Sequence, residues 1–273
     1  MIMFEKTYTH SALLACILTT STHSHAVDLA VAAGLMYFDY EETEDGISLN
    51  HETGFIPGIS IAAIQPYHSV EHSFEFSIFG GEVNYDGHTQ NLQPHQTTTE
   101  QSIYRLQYRL SWSLESTDAD LYGKVYWQQW DRDIQPNNGV LGLFERYQWW
   151  SIEAGVEVPL MRKDRQNLLL ELGMLTTLYG TIMVDLSDAG YGEPVLDLGN
   201  GIGFSGELKY EIEQTNNSGL EFGIQFRTWE FGRSNTFYIP NGFALCGQEI
   251  CSIREPDSKT IQTTLYASYI HHF

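Results

Sequence analysis

Apolar and polar residues alternate with period two through most of this chain. Leu220, Phe222, Ile224 and Phe226 alternate with Glu221, Gly223, Gln225 and Arg227. Residues 103–114 set Tyr104, Leu106, Tyr108, Leu110, Trp112 and Leu114 against Arg105, Gln107, Arg109, Ser111 and Ser113. Residues 150–158 set Trp150, Ile152, Ala154, Val156 and Val158 against Ser151, Glu153, Gly155 and Glu157. Phe204, Leu208, Tyr210 and Ile212 likewise oppose Ser205, Glu207, Lys209, Glu211 and Glu213. Such alternation predicts strands with one apolar and one polar face.

Ten segments of this kind are predicted, roughly 28–41, 54–65, 72–85, 101–114, 121–131, 146–160, 168–183, 202–213, 220–231 and 260–273. Pro57 and Gly58 interrupt the second and predict a bulge or edge there. In the third the apolar face switches between Ile78 and Val83, which predicts a bulge at Gly80-Gly81. The connections after the second, fourth, sixth and eighth segments (66–71, 115–120, 161–167 and 214–219) are short, and the others are longer, 232–259 most of all. An even strand number with alternating short turns and long loops predicts an all-β fold: a transmembrane antiparallel up-and-down β-barrel of about ten strands. A soluble lipocalin-like barrel is the competing architecture and would place the apolar faces inside.

The last segment carries the same pattern to the chain end. Leu265, Ala267, Tyr269, His271 and Phe273 share one face; Tyr266, Ser268 and His272 share the other. With Leu265, Tyr269 and Phe273 at alternate positions, it resembles the assembly signal of bacterial outer-membrane β-barrel proteins; His271 stands where that signal more often has an apolar residue. Gly34–Tyr40 followed by Glu52–Gly58 is similar to small Gram-negative outer-membrane barrels of uncharacterised function. The resemblance covers the chain in architecture and its two ends in motif. It implies a bacterial outer-membrane location with both termini periplasmic, engagement of the outer-membrane assembly machinery, and contact with membrane lipid and lipopolysaccharide as a monomer.

Residues 1–26 read as a signal peptide, with Lys6, an apolar stretch from Ala12 to Thr20, and a small-x-small site at Ser24-His25-Ala26. Acylation at Cys16 is the alternative, but Ile17 and Leu18 continue the apolar stretch beyond it. The barrel domain is then 27–273. A net charge of −21 argues against a nucleic-acid partner. Cys246 and Cys251, the remaining cysteines, read as a disulfide closing a small external loop. No cofactor and no metal site is expected.

The polar faces would turn Glu75, Arg105, Arg109, Lys124, Glu153, Glu157, Glu171, Glu207, Lys209, Glu211, Glu213, Glu221 and Arg227 into the lumen. Charges in a narrow interior must pair, so a cross-lumen network and a mostly blocked barrel are expected, with a narrow cation-preferring porin as the alternative. A sealed barrel implies a membrane-integrity or surface-interaction role. The His-x-Ser pattern of outer-membrane phospholipases and lipid A deacylases is absent, and a charged lumen does not suit an acyltransferase. The omptin proteases, ten-stranded barrels with an Asp pair and an Asp-His pair near the external rim, are a more distant comparison. Here Asp86-Gly-His88 and Asp131-Arg-Asp133 are the candidates, in a different chain order.

Glu41, Glu42, Glu44, Asp45 and Glu52 are expected in the first external loop, and Asp185, Asp188, Glu193 and Asp197 in the fourth. Their spacing matches no EF-hand. Trp112, Trp127, Trp149, Trp150 and Tyr269 are expected in interfacial girdles. Deleting Phe273 should lower the yield of folded, heat-modifiable barrel in outer membranes and leave degraded or aggregated chain; an unchanged yield would contradict the assembly role.

Overall fold

A computed structural model describes residues 27–89, 93–114, 117–215, 217–240, 242 and 249–273. The expected signal peptide, with Cys16, and Cys246 lie outside the described residues. Ten long strands close into an antiparallel barrel: β1 (Asp28–Glu44), β2 (Ile47–Tyr67), β3 (Val70–His88), β4 (Pro94–Ser113), β5 (Asp120–Ile134), β6 (Leu143–Lys163), β7 (Gln166–Asp185), β9 (Ile202–Thr215), β10 (Ser218–Phe231) and β13 (Asp257–His271). Short β8 (Val195–Asp197) pairs with β7, and β11 (Phe237–Pro240) pairs with β12 (Ile250–Ile253). Each long strand pairs with its neighbour in the chain. The circle closes where β1 meets β13, from Leu29↔His271 to Thr43↔Asp257. The start of β1 and the end of β13 therefore lie at one rim, called here the terminal rim; the opposite one is the distal rim.

The strands run 14 to 21 residues, longer than the alternation suggested and longer than the roughly 9–11 needed to cross a bilayer. The extra length changes the first connection. Residues 42–53 do not form a long loop: β1 and β2 continue to a tight turn in which Asp45 (φ 51°) and Gly46 (φ 82°) both adopt the left-handed conformation of a two-residue hairpin. The connections after β7 and β10, at 186–201 and 232–256, are the long ones, and both lie at the distal rim.

The extra length also reverses the patterning part-way along the barrel. Near the terminal rim the outward residues are apolar, among them Leu29, Val31, Leu35, Phe74, Phe76, Leu106, Phe222, Ile224 and Leu265. Towards the distal rim the same outward rows carry Asp39, Glu41, Asn84, Asp86, Asp131 and Asp133. The inward rows become apolar there instead: Met36, Phe38, Tyr40, Phe79, Val83, Ile103, Trp130, Tyr147, Trp149, Trp229 and Phe231 form one buried cluster. In β3 this reversal falls between Ile78 and Val83, where a bulge was expected. The β3–β4 register is unbroken from Val70↔Trp112 to His88↔Pro94, so Gly80-Gly81 is not a bulge. The side chains keep their faces; the surroundings change.

At Pro57 and Gly58, β2 keeps its register with β3 on both sides but residues 54–57 make no paired bridge to it. Gly58 lies under the Phe79 ring: a Cβ there would stand 2.2 Å from Phe79 Cδ1 and 2.6 Å from the Ile78 carbonyl. Gly58→Ala should therefore lower the urea-unfolding stability of the refolded barrel by about 1–3 kcal/mol, the usual cost of overpacking. An unchanged midpoint would contradict this packing.

Candidate functional site

The lumen contains three polar layers, each held by inward residues of several strands. Nearest the terminal rim, Arg109 of β4 lies 3.0 Å from Glu157, 3.2 Å from Glu171 and 3.4 Å from Glu71. Lys209 of β9 lies 2.6 Å from Glu157. Lys124 of β5 pairs with Glu171 and lies 3.3 Å from Glu153, which also accepts hydrogen bonds from Tyr122 (3.1 Å) and Ser205 (2.8 Å). Six of the residues expected in a cross-lumen network are thus brought together: Arg109, Lys124, Lys209, Glu153, Glu157 and Glu171.

The middle layer departs from that expectation. Arg105 donates to the amide oxygens of Gln128 (2.9 Å) and Gln262 (3.1 Å), and Arg227 packs over the Tyr126 ring at 5.0 Å. Nearer the terminal rim, level with or below the first layer, Glu207 accepts from Tyr266 (2.5 Å) and Gln225 (3.2 Å), and Glu211 from Asn167 (3.1 Å). None of Arg105, Arg227, Glu75, Glu207, Glu211 and Glu221 forms an ion pair among the described residues. The reason is geometric: Arg105 and Arg227 both reach for Tyr126, while the acids of β9 and β10 lie nearer the terminal rim.

The distal layer escaped the sequence reading altogether. Arg132 of β5, 1% exposed, donates from Nε to Glu52 (2.8 Å) and from Nη1 to Glu42 (2.8 Å) and Glu145 (2.6 Å). Glu42 and Glu52 were expected in a hydrated loop; they are buried because β1 and β2 extend past that point. Glu52 also accepts from Gln101 (2.6 Å) and Thr99 (3.1 Å). Tyr40 lies within hydrogen-bond distance of Glu42 (2.9 Å), Glu255 (3.1 Å) and Tyr147 (3.2 Å), and Tyr147 donates to Glu255 (2.6 Å). Trp130 stacks on Tyr147 with 4.5 Å between centroids, and Trp149 packs edge-on against Phe231. Trp149 is therefore an interior residue and not part of a girdle, whereas Trp112 and Trp150 are exposed on the outer face.

Between the first and middle layers lies a cavity of about 340 Å³, lined by residues that include Glu71, Glu75, Arg105, Lys209 and Glu221, and reaching Asp28 and His272 at the terminal rim. It is a vestibule. The aromatic cluster and the Arg132 layer occupy the lumen beyond it.

No protein-family model matches the sequence, and no curated protein matches it either. Among solved structures, the outer membrane protease OmpT from Escherichia coli is similar over 94% of this chain and 99% of its own, with a TM-score of 0.61 and 10% identity. The fold is that of a bacterial outer-membrane β-barrel. The translocator domain of the autotransporter NalP from Neisseria meningitidis (TM-score 0.44, 10% identity, 88% of each chain) and OprG from Pseudomonas aeruginosa (TM-score 0.36, 11% identity, 91% of this chain and 97% of that one) align more loosely.

At 10% identity the likeness to the protease is one of fold, and the expected pairs of a hydrolase do not meet in this barrel. Asp86 and His88 are exposed on the outer face of β3, where His88 Nδ1 lies 3.1 Å from the Leu49 carbonyl. Asp131 accepts two bonds from Arg146, at 2.8 and 3.0 Å, also on the outer face. Among the described residues no group of three or more His, Cys, Asp or Glu side chains is arranged to hold a metal ion. Cys251 is buried on β12; its pairing with Cys246 stays a proposal.

Glu255 sits in the connection between β12 and β13, at the distal rim. Burial first, and then the charges of Glu42 and Glu145, raise its carboxyl well above the usual carboxylate range. A proton held more tightly by the folded state stabilises it fully below the unfolded value, near 4.3. That contribution is lost as pH rises towards the folded value. Glu255 should therefore contribute a loss of up to about 1.4 kcal/mol per pH unit through this window, and Glu255→Gln should make the stability–pH slope shallower. Parallel stability–pH curves for the two proteins would contradict it.

Proposed function

We propose that the protein is a sealed outer-membrane barrel whose distal rim is the external face, serving membrane integrity or interaction at the cell surface. The observation that carries this reading is the filling of the distal lumen. Trp130, Tyr147, Trp149, Trp229 and Phe231 pack across it beside a guanidinium tied to three carboxylates. Ions cross a pore only where water or polar groups can replace their hydration. A buried aromatic layer offers neither.

In this reading both termini are periplasmic, the barrel is a monomer held by outer-membrane lipid and lipopolysaccharide, and its assembly uses the Phe273 strand. The β11–β12 pair packs Ile239 and Cys251 onto the distal core and leaves Tyr238 and Ile250 exposed, and the β1–β2 hairpin leaves Ile47 exposed; these are the surfaces offered to a partner. Purified barrel in planar bilayers should give no steady single-channel steps. Stable cation-selective openings would overturn the sealed reading in favour of a narrow porin.

A further inference from the structure

Two guanidinium groups, Arg105 lining the closed end of the vestibule and Arg227 just beyond its lining, have no carboxylate within ion-pair distance among the described residues. Arg105 and Arg227 are 5% and 2% exposed, and both lie over the Tyr126 ring, at 5.6 and 5.0 Å. Arg105 donates only to neutral amide oxygens. Arg227 donates no hydrogen bond among the described residues, and its Nε and Nη1 are buried without an acceptor. The other buried cations of the lumen, Arg109, Lys124, Arg132 and Lys209, each have a carboxylate within 3.4 Å. Their charge is offset only from a distance: Glu75 and Glu153 act electrostatically on Arg105, and Glu153, Glu75 and Glu207 on Arg227. Opposite charges held apart across a cavity leave room for a ligand that contacts both.

The approach to it carries the opposite sign. Arg105 lines the inner end of the vestibule, and Gln225, one inward step from Arg227 on β10, lines it too. Glu75 and Glu207 face the same cavity and form no ion pair among the described residues. After Glu153, both act electrostatically on Arg227. A simple anion would reach the guanidinium pair only by lying against these carboxylates. A simple cation would neutralise the carboxylates and leave both guanidinium groups unmatched. A molecule with both charges satisfies both ends.

We propose that the inner end of the vestibule binds a small zwitterion of amino-acid type, its carboxylate on Arg105, with the Arg227 charge behind it, and its ammonium on Glu75 and Glu207. Entry is from the terminal rim, and a cavity of about 340 Å³ accommodates a ligand of that size. This goes beyond a sealed barrel with an external surface, because it assigns a role to the opposite end. It stands or falls separately from conductance.

The test is isothermal titration of the full barrel in detergent. The zwitterionic probes are glycine, β-alanine and γ-aminobutyrate, which differ in charge separation; butyrate, butylamine and sulfate are the single-charge probes. At least one zwitterion should bind about tenfold or more tightly than any single-charge probe, and Arg105→Gln and Glu75→Gln should each weaken it by about tenfold or more, the loss of one charge-assisted bond. Should Arg105→Gln fail to fold, Arg105→Lys keeps the charge without the planar fork and should also weaken binding. Equal binding of butyrate or sulfate would make this an anion site and overturn the proposal, as would equal binding of butylamine, binding that survives the substitutions, or no heat from any probe.

Discussion

The burial of Arg132 constrains this barrel more than any other single interaction. A guanidinium cannot lose water without anions to replace it, and here Glu42, Glu52 and Glu145 do so from three other strands. Four strands, β1, β2, β5 and β6, are thereby held at one height around one side chain. Tyr40 packs against the guanidinium, 4.9 Å from its central carbon to the ring centroid, and Tyr147 and Glu255 tie the last distal connection to the same cluster. A wider or wetter distal lumen would expose this centre to competing water and loosen every element it joins.

The strand count, the inward rows near the terminal rim and the closure of the barrel were legible because their alternation is set by a single environment, lipid outside and polar lumen inside. The distal half was not legible for the same reason. Once strands outrun the bilayer, water lies outside and packing lies inside, so the apolar parity reverses without any change in backbone. Val83 and Tyr85 on β3 show this plainly: their inward burial mimics the signature of a bulge. Glu42 and Glu52 were misplaced because acidic residues beside Asp45-Gly46 look like loop composition, whereas a hairpin turn needs only those two residues. Arg132 was hidden between Asp131 and Asp133, although it shares the inward parity of Lys124, Gln128 and Trp130.

The same division organises function. The half near the terminal rim encloses a charged vestibule with its own ion pairs, and the distal half is a packed core on which the distal hairpins are mounted. A fold shared with a protease at 10% identity carries no activity with it, since activity resides in the residues placed on the frame. Here Asp86 and Asp131 face outward, and the interior rows at the distal rim hold aromatic rings and the Arg132 cluster.

The most direct measurement of the central claim is a double-mutant cycle between Arg132→Met and Glu52→Gln, read from urea unfolding of the refolded barrel. Residues joined in one buried network couple, and the cycle should give an interaction energy of about 1–3 kcal/mol, with the double variant losing less than the sum of the single ones. Additivity within about 0.5 kcal/mol would contradict the account, because it would mean that Arg132 and Glu52 do not meet in a dehydrated lumen.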